Sequence, residues 1–341
     1  MRVDDFVLKC VGFVCEVEHR DSGGVPSGNP YGTGFFVSVP CEHPEMKAKG
    51  ACTVYFVTAK HVIDDLAGRK MFFSVNEQGG GKTTIEGIIG DRWWYHPTDR
   101  MADVAIAPVW PHRTADVISV NIVQLGTPEL LSAIGVGIGD EVFSSGLFAP
   151  VEGIKRNLPI VRHGNIAMMP DEQIQTEDGY ADVYLVEARS LPGISGSPVF
   201  VRPTLTFKVQ DQRGKKADVF CAGLGIVLLG LMQAHWDVRE SEINKAAFTH
   251  DRKRGVNMGV AMVVPAIKIL ETINQEGLVT MRREEEKRAT RNMVPGMDSV
   301  EPKRRSASQT TATGFELPVP STEQVLRDMQ KASRKVPPKK R

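Results

Sequence analysis

From Phe6 to about Pro265, the pattern is one of short apolar or alternating runs, among them FVLKCVGFVCEV, GTGFFVSV, TVYFVTA, KMFFSV, DVAIAPV, DEVFSSG, VYLVEA, SPVFV, GLGIVLLGLM and MGVAMVV. Each run is rich in Val, Ile, Phe and Thr and is cut off by Gly, Pro, Asn or Asp, which is how short strands and their turns read. Helical periodicity is missing from this stretch, so the pattern predicts an all-β barrel or sandwich class and not alternating βα units. At Pro265 the pattern changes. AIKILETINQE carries Ile267, Leu270 and Ile273 at three-residue spacing behind a proline, which predicts an amphipathic helix packed on the preceding strand.

After Gly277 large apolar residues become scarce, and residues 277–341 read as a basic, disordered extension. Within it, Ser321 to Gln324 forms an S-x-x-Q sequence before Val325, Leu326 and Met329, the form of a capping box on a short helix near 321–333.

Composition adds boundaries. With 341 residues and 41% apolar content, the chain has material for a sizeable core and about two domains. The net charge of +1 conceals a division: residues 281–341 hold 15 Lys and Arg against 8 Asp and Glu, leaving 27 against 33 in the rest. The body is acidic and the tail basic, so the tail suits an anionic partner such as nucleic acid or an acidic protein, or serves as a solubilising segment.

The five cysteines, Cys10, Cys15, Cys41, Cys52 and Cys221, form no CxxC pair, which speaks against a metal site and for a reduced compartment. One disulfide, Cys41 with Cys52 across a hairpin, stays open. The N-terminal run is interrupted by acids and by Lys9, a poor signal peptide, and the apolar stretch Phe220 to Met232 is shorter than a membrane span. These features predict a cytoplasmic protein with no transmembrane segment.

Candidate chemistry lies in three places. Ser195 sits in SLPGISGSPVF, where Gly193 and Gly196 permit a tight turn that aims the Gly193 and Ser195 N–H groups into one cavity, a main-chain oxyanion hole. His61 ends the strand-like YFVTA run, and Asp103 heads DVAIAPV. Each has a plain alternative: a Gly/Ser turn, a structural histidine, an aspartate that terminates a strand. Together they supply a nucleophile, a base and an orienting anion, the set acyl transfer needs, with no metal or organic cofactor. GGGKTT at Gly79 to Thr84 lacks the first glycine of a phosphate loop and reads as a hairpin turn, and Trp93, Trp94 and Tyr95 read as core or cleft wall.

GTGFFV, VTAKHVI, DVAIAPV, GDEVFSSG, VRHGNIA, GISGSPVF, GLGIVLLGLM and MGVAMVVPAIKIL, taken in order over residues 28–275, resemble the successive signatures of trypsin-like serine peptidases. The style is that of the disulfide-poor Deg-type members and, through G-x-S-G-S-P-V-F, of glutamyl endopeptidases. The resemblance implies two antiparallel six-stranded β-barrels, residues 1–125 with His61 and Asp103 and residues 126–276 with Ser195 and the helix, facing each other across a cleft. It further implies a peptide or protein substrate, with His61 as general base, Asp103 as its orienter, Ser195 as nucleophile, and the Gly193 and Ser195 amides as the oxyanion hole.

The family's substrate pocket would be walled by Arg189, Ser190, Gly230, Leu231 and Met232, with Arg189 either favouring an acidic side chain at the cut or pointing to solvent. Ile194 replaces the aspartate that pairs with a newly cut N-terminus in digestive enzymes, which excludes that mode of activation. Two rivals remain: a catalytically inactive peptide-binding scaffold of the same fold, and a nucleic-acid-associated protein acting through its tail.

Overall fold

The computed structural model describes residues 3–88, 92–148, 151, 153–176, 179–188, 193–202, 206–210, 216–220, 226–239, 255–291, 308–310 and 316–318. The chain divides into two compact units, Met1–Thr290 and Arg291–Arg341. In the second, Ser308–Thr310 pairs antiparallel with Glu316–Pro318. The expected short helix near 321–333 lies outside the described residues.

Eight strands in the first half of the larger unit form one sheet: β1 (Val11–Glu16), β2 (Pro30–Pro40), β3 (Cys52–Thr58), β4 (Met71–Asn76), β5 (Lys82–Glu86), β6 (Trp94–Tyr95), β7 (Ala105–Val109) and β8 (Val120–Asn121). Their order is β5-β4-β1-β2-β3-β7-β6, with β8 pairing β2 off this path. The second half holds β9 (Glu141–Gly146), β10 (Ile160–Met168), β11 (Tyr184–Glu187), β12 (Pro198–Val201), β13 (Val227–Arg239) and β14 (Gly255–Pro265). These six close into a barrel in the order β9-β10-β11-β14-β13-β12. Among the described residues the α-helices are α1 (Asp5–Lys9), α2 (Pro44–Ala48), α3 (Lys60–Asp64), α4 (Pro128–Ala133), α5 (Ala266–Ile273) and α6 (Glu276–Arg291).

The all-β class and the helix after Pro265 match the expectation from sequence. Of the two expected six-stranded barrels, the second closes. The first half differs: among the described residues its pairing is an open path, because the terminal strand β6 is only two residues long and no ladder joins it to β5.

A continuous core nonetheless fills the first half. Phe36 meets Phe56 edge-on at 5.1 Å, and Phe56 stacks on Phe73 at 4.1 Å. All three rings are buried, each contributing roughly 1.5–3 kcal/mol by leaving water. The same cluster takes in Phe143, Phe200, Leu228, Leu231 and Val264 from the barrel strands and Ile269 and Ile273 from α5, so the halves share apolar contacts. A second cluster, including Val142, Val186, Ile194, Val199, Met232 and Val263, lies within the second half and also takes in Leu131 of α4.

The basic extension begins later than composition suggested, since α6 continues to Arg291. Its docked face is a mixed stripe in which Leu278, Arg282 and Glu286 follow at four-residue spacing and are all buried. Arg282 donates to the Tyr55 hydroxyl at 3.0 Å and the Ile273 carbonyl at 2.7 Å, while the Glu286 carboxylate accepts from the Glu42 and His43 main-chain N–H groups at the start of α2. A count of apolar residues misses a helix anchored this way.

Cys41 and Cys52 are free thiols, so no Cys41–Cys52 disulfide is present. Burial, reinforced by the Glu286 carboxylate, pushes the Cys41 thiol up to about 11. Cys221 lies outside the described residues. Among the described residues no helix is long and apolar enough to cross a membrane. Gly79 and Gly80, with φ of 94° and 93°, make the turn between β4 and β5, as the hairpin reading of GGGKTT requires.

Candidate active site

The short helix α3 begins directly after β3, and its N-cap Ala59 has no side chain able to bond the first-turn N–H groups. Asp103, just ahead of β7, supplies what is missing. One carboxylate oxygen accepts from the His61 main-chain N–H at 2.9 Å, and the other lies 2.7 Å from His61 Nδ1. An anion at a helix start is favoured by unpaired amides as well as by its ring partner, so a single carboxylate fixes both the backbone and the imidazole of His61.

Asp103 is buried, whereas 42% of the His61 side chain stays exposed. Burial of the ring opposes protonation, but the hydrogen bond and charge of Asp103, joined by Asp65 and Asp64, outweigh it and raise the His61 pKa above the ordinary histidine range. With Asp103 accepting at Nδ1, that nitrogen carries the proton of the neutral ring and Nε2 is left as the basic nitrogen.

Ser195 lies on a turn shaped by Gly193 (φ 92°) and Gly196 (φ 81°). Ile194 is buried in the barrel core and pins the turn from below. The Ser195 carbonyl accepts from Thr33 N at 2.9 Å, Gly196 N donates to the Met232 carbonyl at 2.7 Å, and Met232 N donates to the Ser197 carbonyl at 2.8 Å.

A side chain at Gly196 would run into the Thr33 carbonyl and the Thr58 hydroxyl and come within 3.0 Å of Ala59 N, two residues before His61. A side chain at Gly32 would meet both Val62 methyls at 2.9 Å and the Ser195 carbonyl at 3.3 Å. The serine turn from the second half is therefore packed against the segment that carries the histidine. Among the described residues no hydrogen bond joins the Ser195 hydroxyl to the imidazole, a common state of such pairs before a substrate binds.

The remaining expected site residues divide. Arg189 and Ser190 lie outside the described residues. Gly230 allows the close approach of the Val264 carbonyl, and the Leu231 and Met232 side chains are buried in the two cores. What this strand presents near the serine turn is main chain. Trp94 is buried beneath the Arg92 guanidinium at 3.5 Å, and Trp93 packs edge-on against Phe73. Among the described residues no group of three or more His, Cys, Asp or Glu side chains is placed to hold a metal ion.

Several contributors escaped the sequence reading. The loop ahead of Asp103 is held by α5 through two contacts. His96 Nδ1 accepts from Asp99 N at 2.9 Å while its Nε2 faces the Glu271 carboxylate at 2.7 Å, which fixes the proton on Nε2. Lys268 bridges Asp99 at 2.8 Å and Asp182 at 3.0 Å, linking that loop to the second half. Burial works against both charges, yet their pairing prevails: the Asp99 pKa is lowered and the Lys268 pKa raised. No local motif marks these pairs, because their partners lie far apart in sequence.

No protein-family model and no curated protein matches the chain. Among solved structures, several are similar to the chain at low identity. The MamO protease domain from Magnetospirillum magneticum shares 15% identity over 78% of this chain and 96% of that one, with a TM-score of 0.42. The HtrA-type protease AlgW, solved with a decapeptide, shares 15% over 80% and 66%, TM-score 0.45. Deg5 shares 15% over 67% and 81%, TM-score 0.38.

Proposed function

We propose that this chain is a serine endopeptidase of the trypsin-like type, with His61, Asp103 and Ser195 as its triad and two barrel-like halves forming the cleft. The observation that carries the reading is the double engagement of His61 by the Asp103 carboxylate, at 2.9 and 2.7 Å, beside the glycine-shaped turn of Ser195.

His61 Nε2 removes the Ser195 hydroxyl proton as the oxygen attacks the scissile carbonyl carbon. The oxyanion is met by the Gly193 and Ser195 N–H groups. Collapse breaks the C–N bond, the amine leaves with the proton from His61, and an acyl-enzyme remains. Water, deprotonated by His61, then attacks the ester carbonyl; the bond to Ser195 Oγ breaks, the carboxylic acid leaves, and His61 returns the proton to Ser195. Every atom needed comes from the chain, the peptide and water. The unlinked Cys41 and Cys52 thiols support a reducing compartment such as the cytoplasm.

The test is reaction with a fluorophosphonate probe and location of the adduct by peptide mass mapping. The expected result is a single adduct on Ser195, lost in Ser195→Ala and strongly slowed in His61→Ala. A folded protein that refuses the probe would overturn the hydrolase reading and favour the peptide-binding scaffold.

A further inference from the structure

Thr33 is fully buried in β2, where a valine would serve the strand equally well. A buried hydroxyl is costly unless bonded, and this one is engaged on both sides. It donates to the Gly193 carbonyl at 2.8 Å and accepts from Leu147 N at 2.8 Å. The Leu147 N–H occupies a lone pair of the oxygen and so directs its proton toward Gly193. The Thr33 main chain continues the linkage: its N–H donates to the Ser195 carbonyl at 2.9 Å, and its carbonyl accepts from the Thr58 hydroxyl at 2.7 Å.

Because peptide groups are planar, holding a carbonyl fixes the orientation of the whole unit. The Gly193 carbonyl belongs to the 193–194 peptide and the Ser195 carbonyl to the 195–196 peptide. Between them lies the 194–195 peptide, which carries the Ser195 N–H. One residue thus clamps both neighbours of that amide.

The surroundings keep room for the clamp. A side chain at Gly146 would collide with the Ser197 hydroxyl and crowd Thr33 Oγ1 at 3.0 Å, and one at Gly193 would press on Leu147 at 3.0 Å. Through Thr58, at the end of the strand leading to His61, the clamp also sets the turn in register with the histidine segment.

We propose that Thr33 is a positioning residue for the oxyanion-binding turn, acting through its hydroxyl on the Gly193 carbonyl; this rests on the hydrolase reading above. The proton relay through His61 and Asp103 does not pass through Thr33, so loss of the hydroxyl should slow acylation and leave the histidine titration in place.

The experiment compares the full chain with Thr33→Val, nearly isosteric, and Thr33→Ser, which keeps the hydroxyl. Each is assayed for the second-order rate of fluorophosphonate labelling across pH and for thermal midpoint. The expected result is a loss of about 10- to 100-fold in Thr33→Val, with the acidic midpoint of the rate profile unchanged and the serine variant within about threefold of wild type.

Thr33→Ala adds no atoms and serves the same comparison if the valine variant does not fold. Wild-type protein that is not labelled would defeat the hydrolase reading and this inference with it. Labelled wild type with a Thr33→Val rate within about twofold would overturn the inference alone. Should neither hydroxyl-less variant fold while Thr33→Ser does, the hydroxyl is a folding determinant and the positioning role falls.

Discussion

The Asp103 carboxylate holds His61 at two points, the main-chain N–H at 2.9 Å and ring Nδ1 at 2.7 Å, so the placement of the helix and the state of its imidazole depend on one side chain. Asp103→Asn should therefore do more than remove a charge. The asparagine can offer an N–H to the ring, reversing the tautomer and leaving Nε2 protonated. The expected outcome is a drop of about 10³- to 10⁴-fold in Ser195 labelling rate.

The pH profile follows from the same contact. His61 acts as a base only when neutral, and its pKa is raised, so labelling should increase with pH to a midpoint above the ordinary histidine value of about 6.5. A raised pKa also means that the His61–Asp103 pair stabilises the fold fully below the unfolded histidine pKa, a contribution lost as pH climbs through the folded one. Titration of the His61 ring by NMR checks both; a midpoint at or below that of an exposed histidine would contradict them.

Lys268 joins Asp99 and Asp182 across the two halves, with 15% of its own side chain exposed. Lys268→Met should leave two partly buried carboxylates without their cation, costing about 1–3 kcal/mol. Because the Asp99 pKa is lowered, its contribution is present above the ordinary aspartate pKa and fades as pH falls through the folded value; Lys268, raised, loses its contribution only as pH climbs past the ordinary lysine range. Wild type and variant should thus differ most in chemical denaturation near neutrality and converge in acid. An equal gap at pH 7 and pH 2 would refute the assignment.

Gly196→Ala should abolish labelling. The position has φ of 81°, and the added methyl would overlap the Thr33 carbonyl and the Thr58 hydroxyl, neither of which has space to retreat. A variant with wild-type rate and thermal midpoint would show that the turn relaxes freely.

Truncation separates the docked helix from the segment beyond it. Protein ending at Arg291 should keep the wild-type thermal midpoint. Protein ending at Gln275 loses Arg282 and Glu286, and with them the partners of Tyr55, Glu42 and His43, so it should melt several degrees lower. Equal midpoints for the two would mean that α6 contributes nothing to the fold.

The strand pattern was legible because short apolar runs cut off by turn residues are a local property; the run GTGFFVSV lies within β2, which is buried without a break from Gly32 to Ser38. The candidate site was legible in part for a similar reason, since glycines at 193 and 196 announce a turn wherever they occur. What escaped were features made of distant partners. Thr33 looked like one more β-branched strand residue, and its role appears only when Gly193, Leu147 and Thr58 surround it. Helix α6 was hidden because its buried stripe uses an arginine and a glutamate, residues that composition assigns to solvent. The open edge of the first sheet was hidden too, because closure depends on strand ends that no periodicity specifies.

The bracing of the first half by α5 and α6 bears on synthesis. A chain leaving the ribosome already holds His61 and Asp103 when Ser195 is still unmade, and even with Ser195 present, Lys268 and Arg282 have yet to emerge to seat the Asp99 loop and Tyr55. The candidate site thus gains its bracing from α5 and α6 only after residues made well behind Ser195 have joined the chain.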